Sequence, residues 1–410
     1  MNDKTMEFEG KQAIFTSDHC LSCTSCMSAC PVMKAAKEYR GPKLVGPAHG
    51  RLRFSQEDIE ESLDCCTNCK SCDRACPAGV EISTLNMLRR AEYYRKHPHS
   101  RKDDMLAHNE RMANLVRSVP FGPACANLGM KIGKSLGAFG TVGVAEERDM
   151  PSYAPETFLS VFKEIRQKPS DRKIVFYPGC FVNDIEPEVG AAFVEVMQKN
   201  GYEVLVDPQF NCCGSPMVVM GYLDEAKEHA HNNVKRILEW KAKGIPVVAC
   251  CTSCSLMLKQ EYASLFDESE MREAGQNVYD AFEFLELLEE KGELNKDYAG
   301  AGHSEKILYH VPCHLKSQGI GTPAVHILRE IPGVEISLAD ADCCGMSGNY
   351  GFQKDKYEIS MKIGEKLFDR IRTAHADSVI CDCGTCRLQI KHGTQQTPCH
   401  PIEILAKAYK

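Results

Sequence analysis

Eighteen of the 23 cysteines fall into two kinds of array, and the arrays dictate what the fold must bring together. Cys20, Cys23, Cys26 and Cys30 are followed by Pro31, and the same spacing returns at Cys66, Cys69, Cys72 and Cys76, followed by Pro77. Further along, Cys180, Cys212, Cys213, Cys251 and Cys254 form a five-member set, which Cys313, Cys343, Cys344, Cys383 and Cys386 repeat. The repeat lies 133 residues on at Cys180 and Cys313, 131 at Cys213 and Cys344, and 132 at Cys254 and Cys386. Agreement across three anchors marks an internal duplication.

Each short run reads C-x2-C-x2-C-x3-C-P, the spacing that wraps a [4Fe–4S] cubane; in two-cluster modules the fourth cysteine of each run ligates the other cluster. One cubane is therefore expected on Cys20, Cys23, Cys26 and Cys76, and a second on Cys66, Cys69, Cys72 and Cys30. The runs start 46 residues apart, with an acidic, helix-like stretch at Ser55 to Leu63 between them. That separation points to a mainly helical two-cluster ferredoxin-type domain over 1–101. Zinc takes four ligands, commonly from two C-x2-C hooks. Each five-member set has one hook, one adjacent pair and one single cysteine. Adjacent thiolates suit a multinuclear iron–sulfur cluster better. Zinc and a Cys212–Cys213 dithiol stay open as alternatives.

The duplication carries its own topology. Apolar runs at Lys173 to Gly179, Tyr202 to Val206 and Pro246 to Cys250 each lead into a cysteine, and a helix starts near Pro187, with proline at its first turn. The runs Lys306 to Val311, Val334 to Leu338 and Asp377 to Cys381 repeat the order. Strands alternating with helices predict parallel sheets with right-handed crossovers, and ligands gather beyond the carboxyl ends of such strands. The fold class is α+β multidomain: the helical module, then two duplicated α/β domains with parallel strands. We divide the chain at 1–101, 102–171 (a basic, amphipathic connection and linker), 172–300 and 301–410. Gly214 and Gly345 are read as letting backbone approach a metal centre. Cys65, Cys125, Cys250, Cys381 and Cys399 are spare thiols; in the half-to-half alignment Cys250 faces Asp382 and Cys381 faces Ala249. His310 and His314 flank Cys313 and are assigned to hydrogen bonding or packing around the centre.

With 410 residues and 43% hydrophobic content the chain can bury several cores, and its net charge of −7 excludes nucleic acid as an expected partner. Met1 to Gly10 lacks the pattern of a secretory signal, so the cysteines read as metal ligands and not disulfides. No stretch reaches the roughly 18 apolar residues of a spanning helix. From Asn86 to Ser135, however, ten Lys/Arg face four acids, and Leu128, Ile132, Leu136 and Phe139 recur at helical spacing. That combination reads either as an interfacial element for anionic lipid or as a solvated face beside a packed helix. No nucleophile–base pair, G-x-G-x-x-G or P-loop is present, so no catalytic residue is assigned and no organic cofactor is expected on this chain.

Two ferredoxin-type motifs followed by two cysteine-rich "CCG" domains resemble the iron–sulfur subunits of anaerobic glycerol-3-phosphate dehydrogenase, glycolate oxidase and heterodisulfide reductase, most nearly the first. Gly41-Pro42-Lys43, Gly46-Pro47, Arg51-Leu52-Arg53, Gly179-Cys180-Phe181-Val182-Asn183, Asp342-Cys343-Cys344-Gly345, Tyr350-Gly351-Phe352 and His400-Pro401-Ile402 carry the likeness. The resemblance implies a non-catalytic electron-transfer subunit. It would dock on FAD- or FMN-containing dehydrogenase subunits, pass electrons to the quinone pool and sit peripherally on the cytoplasmic face of a bacterial inner membrane, anchoring its partners there. It also implies one or two noncubane [4Fe–4S] clusters in the CCG sites. The alternatives it carries are a disulfide-reducing catalytic subunit like heterodisulfide reductase, and the iron–sulfur subunit of a glycolate- or lactate-oxidising complex.

Overall fold

The computed structural model describes residues 7–8, 11–12, 19–49, 61–302 and 304–410. The helix-like stretch expected at Ser55 to Leu63 and the Arg51-Leu52-Arg53 string lie largely or wholly outside these residues; Glu61–Cys65 is a single 3-10 turn. A short antiparallel pair, β1 (Glu7–Phe8) with β2 (Lys11–Gln12), lies near the start.

Two parallel sheets carry the duplicated part. The first has the order β4-β3-β5-β6, from β3 (Lys173–Tyr177), β4 (Glu203–Val206), β5 (Val247–Ala249) and β6 (Val278–Asp280). The second has the order β8-β7-β9, from β7 (Glu305–Tyr309), β8 (Val334–Leu338) and β9 (Ser378–Ile380). Every pairing within both sheets is parallel. Ile174, Val175, Phe176 and Tyr177 are all buried, as a strand covered on both faces requires.

The strand β6 and the helix Ala281–Glu290 complete the first half beyond the elements read from sequence. Asp280 caps that helix and Glu283 reaches back to the Asp280 backbone, a capping box. In the second half Cys399 takes the matching edge position, bridging Ile380 in parallel. The helix Pro401–Ala408 follows, with His400 and Glu403 as its capping box.

The helix Ile82–Lys96 ties the N-terminal module to the sheets. Its buried Arg90 donates to the carbonyls of Leu63 (2.9 Å), Cys66 (3.0 Å) and Val219 (2.6 Å). Arg148 does the same for the connecting segment, donating to the Gly351 carbonyl, Gln389 and Ser360 of the second half. Buried guanidinium groups placed among carbonyls and amides are expensive to leave unpaired, so each fixes three segments at once.

Those pairings reduce the basic surface expected over 86–135. Arg89 and Arg90 are buried, Arg95 pairs with Asp224, Arg111 with Asp104, Arg117 with Asp184 and Lys134 with Asp149. The apolar side of the same segment is exposed: Phe121 is 84% and Leu136 77% accessible, with Leu115, Val119, Leu128 and Ile132 also exposed. Phe139, expected on the same stripe, is instead half-buried. Among the described residues no helix is long and apolar enough to cross a membrane.

Candidate metal centres

Each short cysteine run wraps a tight turn that ends in proline. Ser22, Thr24, Asn68 and Lys70 all take positive φ, which folds the C-x2-C-x2-C loops back on themselves. Two cavities result. One is lined by Cys20, Cys23, Cys26 and Cys76. The other is lined by Cys30, Cys66, Cys69 and Cys72. The structure thus brings together, across the two runs, the same two groups of four thiols that the spacing pairs.

Crowding of these thiols has an electrostatic cost. Burial, reinforced by Cys20, Cys76 and Cys23, raises the Cys26 pKa. Burial, then Cys69 and Cys66, pushes Cys30 up to about 12. A thiolate is the metal-binding form, and four together are unfavourable unless a cation joins them. The donor sets therefore fit a cationic iron–sulfur group.

The two five-member sets assemble identically. In the first, Cys180 contacts Cys212, Cys212 contacts Cys213, Cys213 contacts Cys254, and Cys254 contacts Cys251. In the second, Cys313 contacts Cys343, Cys343 contacts Cys344, Cys344 lies 3.2 Å from Cys386 sulfur to sulfur, and Cys386 contacts Cys383. Strand ends deliver all ten. Cys180 and Cys313 sit on short helices just beyond β3 and β7, and Cys251 and Cys383 are N-caps just beyond β5 and β9. Hydrogen bonds from Cys180 and Cys213 hold the Cys212 pKa well below its ordinary value, and that from Cys386 holds Cys383 down to about 5.

The two glycines put backbone against the thiols, as expected: the Gly345 N–H lies 3.3 Å from the Cys343 sulfur, and the Gly214 backbone hydrogen-bonds Cys212. Gly214 and Gly345 have φ of +79° and +89°, and a Cβ on Gly345 would clash with the Ser360 carbonyl, while one on Gly214 would meet Ala226. Both therefore also serve helix packing. Gly179 lies beside the thiols too, and a Cβ on it would come within 3.0 Å of the Cys254 sulfur.

The centres are neighbours. Cys69 of the N-terminal module shares a buried cluster with Cys343, with Cys313 packed against it. Burial and then the Cys343 charge raise the Cys69 pKa, and the Cys343 hydrogen bond, burial and the Cys343 and Cys69 charges raise that of Cys313. His314 lies 2.9 Å from Ser253 and 3.1 Å from the Asn68 carbonyl. A carbonyl only accepts, so Nε2 carries the proton and Nδ1 accepts from the Ser253 hydroxyl. Phe181 makes the reciprocal contact: its ring covers Gly384, where a Cβ would clash with it. Phe181 and His314 are 133 residues apart, the same offset as Cys180 and Cys313. Each half therefore inserts the residue after its first cysteine into the C-x2-C turn of the other.

Lys70, inside the second short run, makes a 3.0 Å ion pair with buried Glu261, which also accepts from Asn68 at 3.4 Å. This pair is not legible in the sequence, because nothing local joins positions 191 residues apart. A cleft opens on the first five-member set, lined by Cys180, Cys212, Glu110, Asn114, Asn183 and Phe210 among others. Glu110 accepts from the Cys212 backbone N–H at 2.8 Å. Of the spare cysteines, Cys125 is exposed while Cys65, Cys250 and Cys381 are buried.

Comparison with known proteins agrees with this anatomy. The 4Fe-4S dicluster domain matches residues 16–80, and the cysteine-rich (CCG) domain matches 174–259 and 307–391. The chain is therefore an iron–sulfur protein in which a two-cluster ferredoxin module carries a duplicated cysteine-rich domain. It is 34% identical over 398 residues to the C subunit of anaerobic glycerol-3-phosphate dehydrogenase from Escherichia coli (strain K12), a match spanning 95% of this chain and 98% of that one. It belongs to that family of iron–sulfur electron-transfer subunits. The B subunit of the fumarate reductase (CoM/CoB) from Methanothermobacter marburgensis is 28% identical over 94% of this chain and 70% of its own length. Lactate utilization protein A 1 of Bacillus mycoides is 32% identical over 57% of this chain and 93% of its own.

Proposed function

We propose that the chain relays electrons, one at a time, from an FAD- or FMN-containing dehydrogenase acting on glycerol 3-phosphate towards the quinone pool. In this reading Cys20, Cys23, Cys26 and Cys76 hold one cubane, and Cys66, Cys69, Cys72 and Cys30 the other. The sets at Cys180 and Cys313 each hold a further cluster, for which the adjacent cysteine pairs favour a noncubane form. Bound clusters supply one-electron chemistry at potentials set by hydrogen bonding, charge and exposure. The chain's own residues fix the spacing: His314 and Phe181 lock the two cysteine-rich halves together, and Arg90 and the Lys70–Glu261 pair hold the N-terminal module against them. The single observation that supports the relay is that Cys69 and Cys343 lie in one buried cluster with Cys313 packed against it, which sets the second cubane site beside the second cysteine-rich site.

The exposed apolar residues of the helices Asn109–Arg117 and Gly122–Ser135 give the chain a surface suited to the cytoplasmic face of the membrane, without a spanning helix. The four-part division at 1–101, 102–171, 172–300 and 301–410 is retained as the proposed domain organisation. The test of the relay is rapid-freeze EPR of the anaerobically purified complex mixed with sn-glycerol 3-phosphate. Reduced-cluster signals on this chain are the expected result; their absence alongside a reduced flavin would remove the substrate assignment.

A second reading, disulfide reduction at the first cysteine-rich centre, is favoured by the cleft at Cys180 and Cys212. Stopped-flow mixing of the reduced protein with a thiol disulfide tests it: a spectral change supports it, and none counts against it.

A further inference from the structure

The two cysteine-rich centres are built on the same plan but are not lined by the same donors. The offset of 133 that relates Cys180 to Cys313 also relates Tyr177 to His310, the last strand residue and the one just after its counterpart strand. Tyr177 is buried beside Cys213, Cys254 and Cys212. Its hydroxyl is satisfied, donating to the Asn211 carbonyl at 2.7 Å. His310 is 1% exposed, and neither ring nitrogen has a hydrogen-bond partner. A neutral imidazole has one donor and one lone pair, and burying both unsatisfied is costly.

The unsatisfied ring is aimed at sulfur. A ring nitrogen of His310, the Cys386 thiol and the Cys381 thiol all lie within 4.8 Å of one another, all three buried. Cys343 is close enough on the other side for its charge to act on the ring. Lys316 also faces the ring, but its amine is engaged by the Ala341 carbonyl at 2.6 Å. Cys381 stands where the first half has Ala249, so both additional donors are particular to the second half. His314, the other histidine beside Cys313, has both nitrogens occupied by Ser253 and Asn68 and is not available.

We propose that His310 supplies a nitrogen ligand to iron in the second cysteine-rich centre, making it a mixed nitrogen–sulfur site beside an all-sulfur first centre. This rests on the reading of the Cys313 set as an iron–sulfur site. Here the imidazole is an added donor beside the five thiols and replaces none of them.

The test is pulsed EPR (HYSCORE) of the anaerobically purified full chain, grown with [15N]histidine and with unlabelled histidine. A strongly coupled histidine nitrogen that changes with the isotope is the expected result, and it should vanish in His310→Tyr, which installs the residue of the first half. Circular dichroism of that variant should stay as in the wild type. A labelled wild type without a strongly coupled histidine nitrogen would overturn the proposal, and needs no variant to fold. Iron content in Cys343→Ser separates the two levels. A loss of iron with no nitrogen coupling in the wild type refutes the histidine ligand alone. Iron unchanged from wild type refutes the second centre as a cluster site and the inference with it.

Discussion

His314 accepts a 2.9 Å hydrogen bond from Ser253, and that one contact joins the cysteine turn of the first half to the first cysteine of the second. The same ring donates to the Asn68 carbonyl at 3.1 Å, in the turn between Cys66 and Cys69. One imidazole therefore spans the loops of three candidate centres.

Replacing it should loosen all three. His314→Ala removes two hydrogen bonds and leaves a buried carbonyl unpaired, at a cost of roughly 2 kcal/mol. Anaerobic denaturant titration should show the lower midpoint. EPR should show altered spin coupling between clusters with the iron content retained.

The division of cysteines between the two cubanes is open to a direct test. Cys76→Ser should abolish the signal of the cubane held by Cys20, Cys23 and Cys26, with a loss of about four irons. Cys30→Ser should instead affect the cubane of Cys66, Cys69 and Cys72. EPR and iron analysis of the two variants would show whether each run donates its fourth thiol across.

The Lys70–Glu261 pair should stiffen the junction only while both are charged. Burial opposes the charge on Glu261, but Lys70 and Asn68 outweigh it and the Glu261 pKa ends lowered. A lowered folded-state value stabilises above the ordinary carboxylate pKa, and that contribution is lost as pH falls through and below it. Burial likewise opposes the Lys70 charge, which Glu261 and Asp73 sustain, so the Lys70 pKa ends raised. Its contribution is present below the ordinary lysine pKa and disappears only as pH rises beyond it. Lys70→Met, which strands the Glu261 charge, should cost about 3–5 kcal/mol. The double variant Lys70→Met/Glu261→Gln should recover part of this and flatten the acid limb of the stability–pH profile.

How much is legible in the sequence follows from what is local. The cysteine runs specify their own turns, and the apolar strands ending in cysteine specify where those turns lie, so sites and parallel sheets can be read together. The strand Val278–Asp280 has only three residues and no alternation to detect, although Asp280 and Glu283 spell a capping box. Arg90, Arg148 and His314 act across 129 residues or more on one side of their contacts, which no local pattern encodes. Gly345 follows Cys344 and so suggests a role at the metal, whereas the atom that excludes a Cβ there is the Ser360 carbonyl.

That glycine makes a paired prediction. Gly345→Ala adds a Cβ against backbone at positive φ and should destabilise by about 3 kcal/mol. Gly244→Ala, at φ +70° but with open space around it, should cost about 1 kcal/mol. Thermal melts under nitrogen would give both values.

The apolar face can be tested apart from the clusters. Leu128→Glu and Ile132→Glu lie on an exposed helix face and should leave iron content intact while weakening flotation with anionic vesicles several-fold. Equal flotation of variant and wild type would place the membrane contact elsewhere.

Iron, zinc and acid-labile sulfide analysis of the full chain, purified under strict anaerobiosis, decides whether these thiols hold clusters. A brown protein with about sixteen irons, four in each of the four centres, and no stoichiometric zinc is the expected result. A colourless protein carrying zinc and no iron would contradict it.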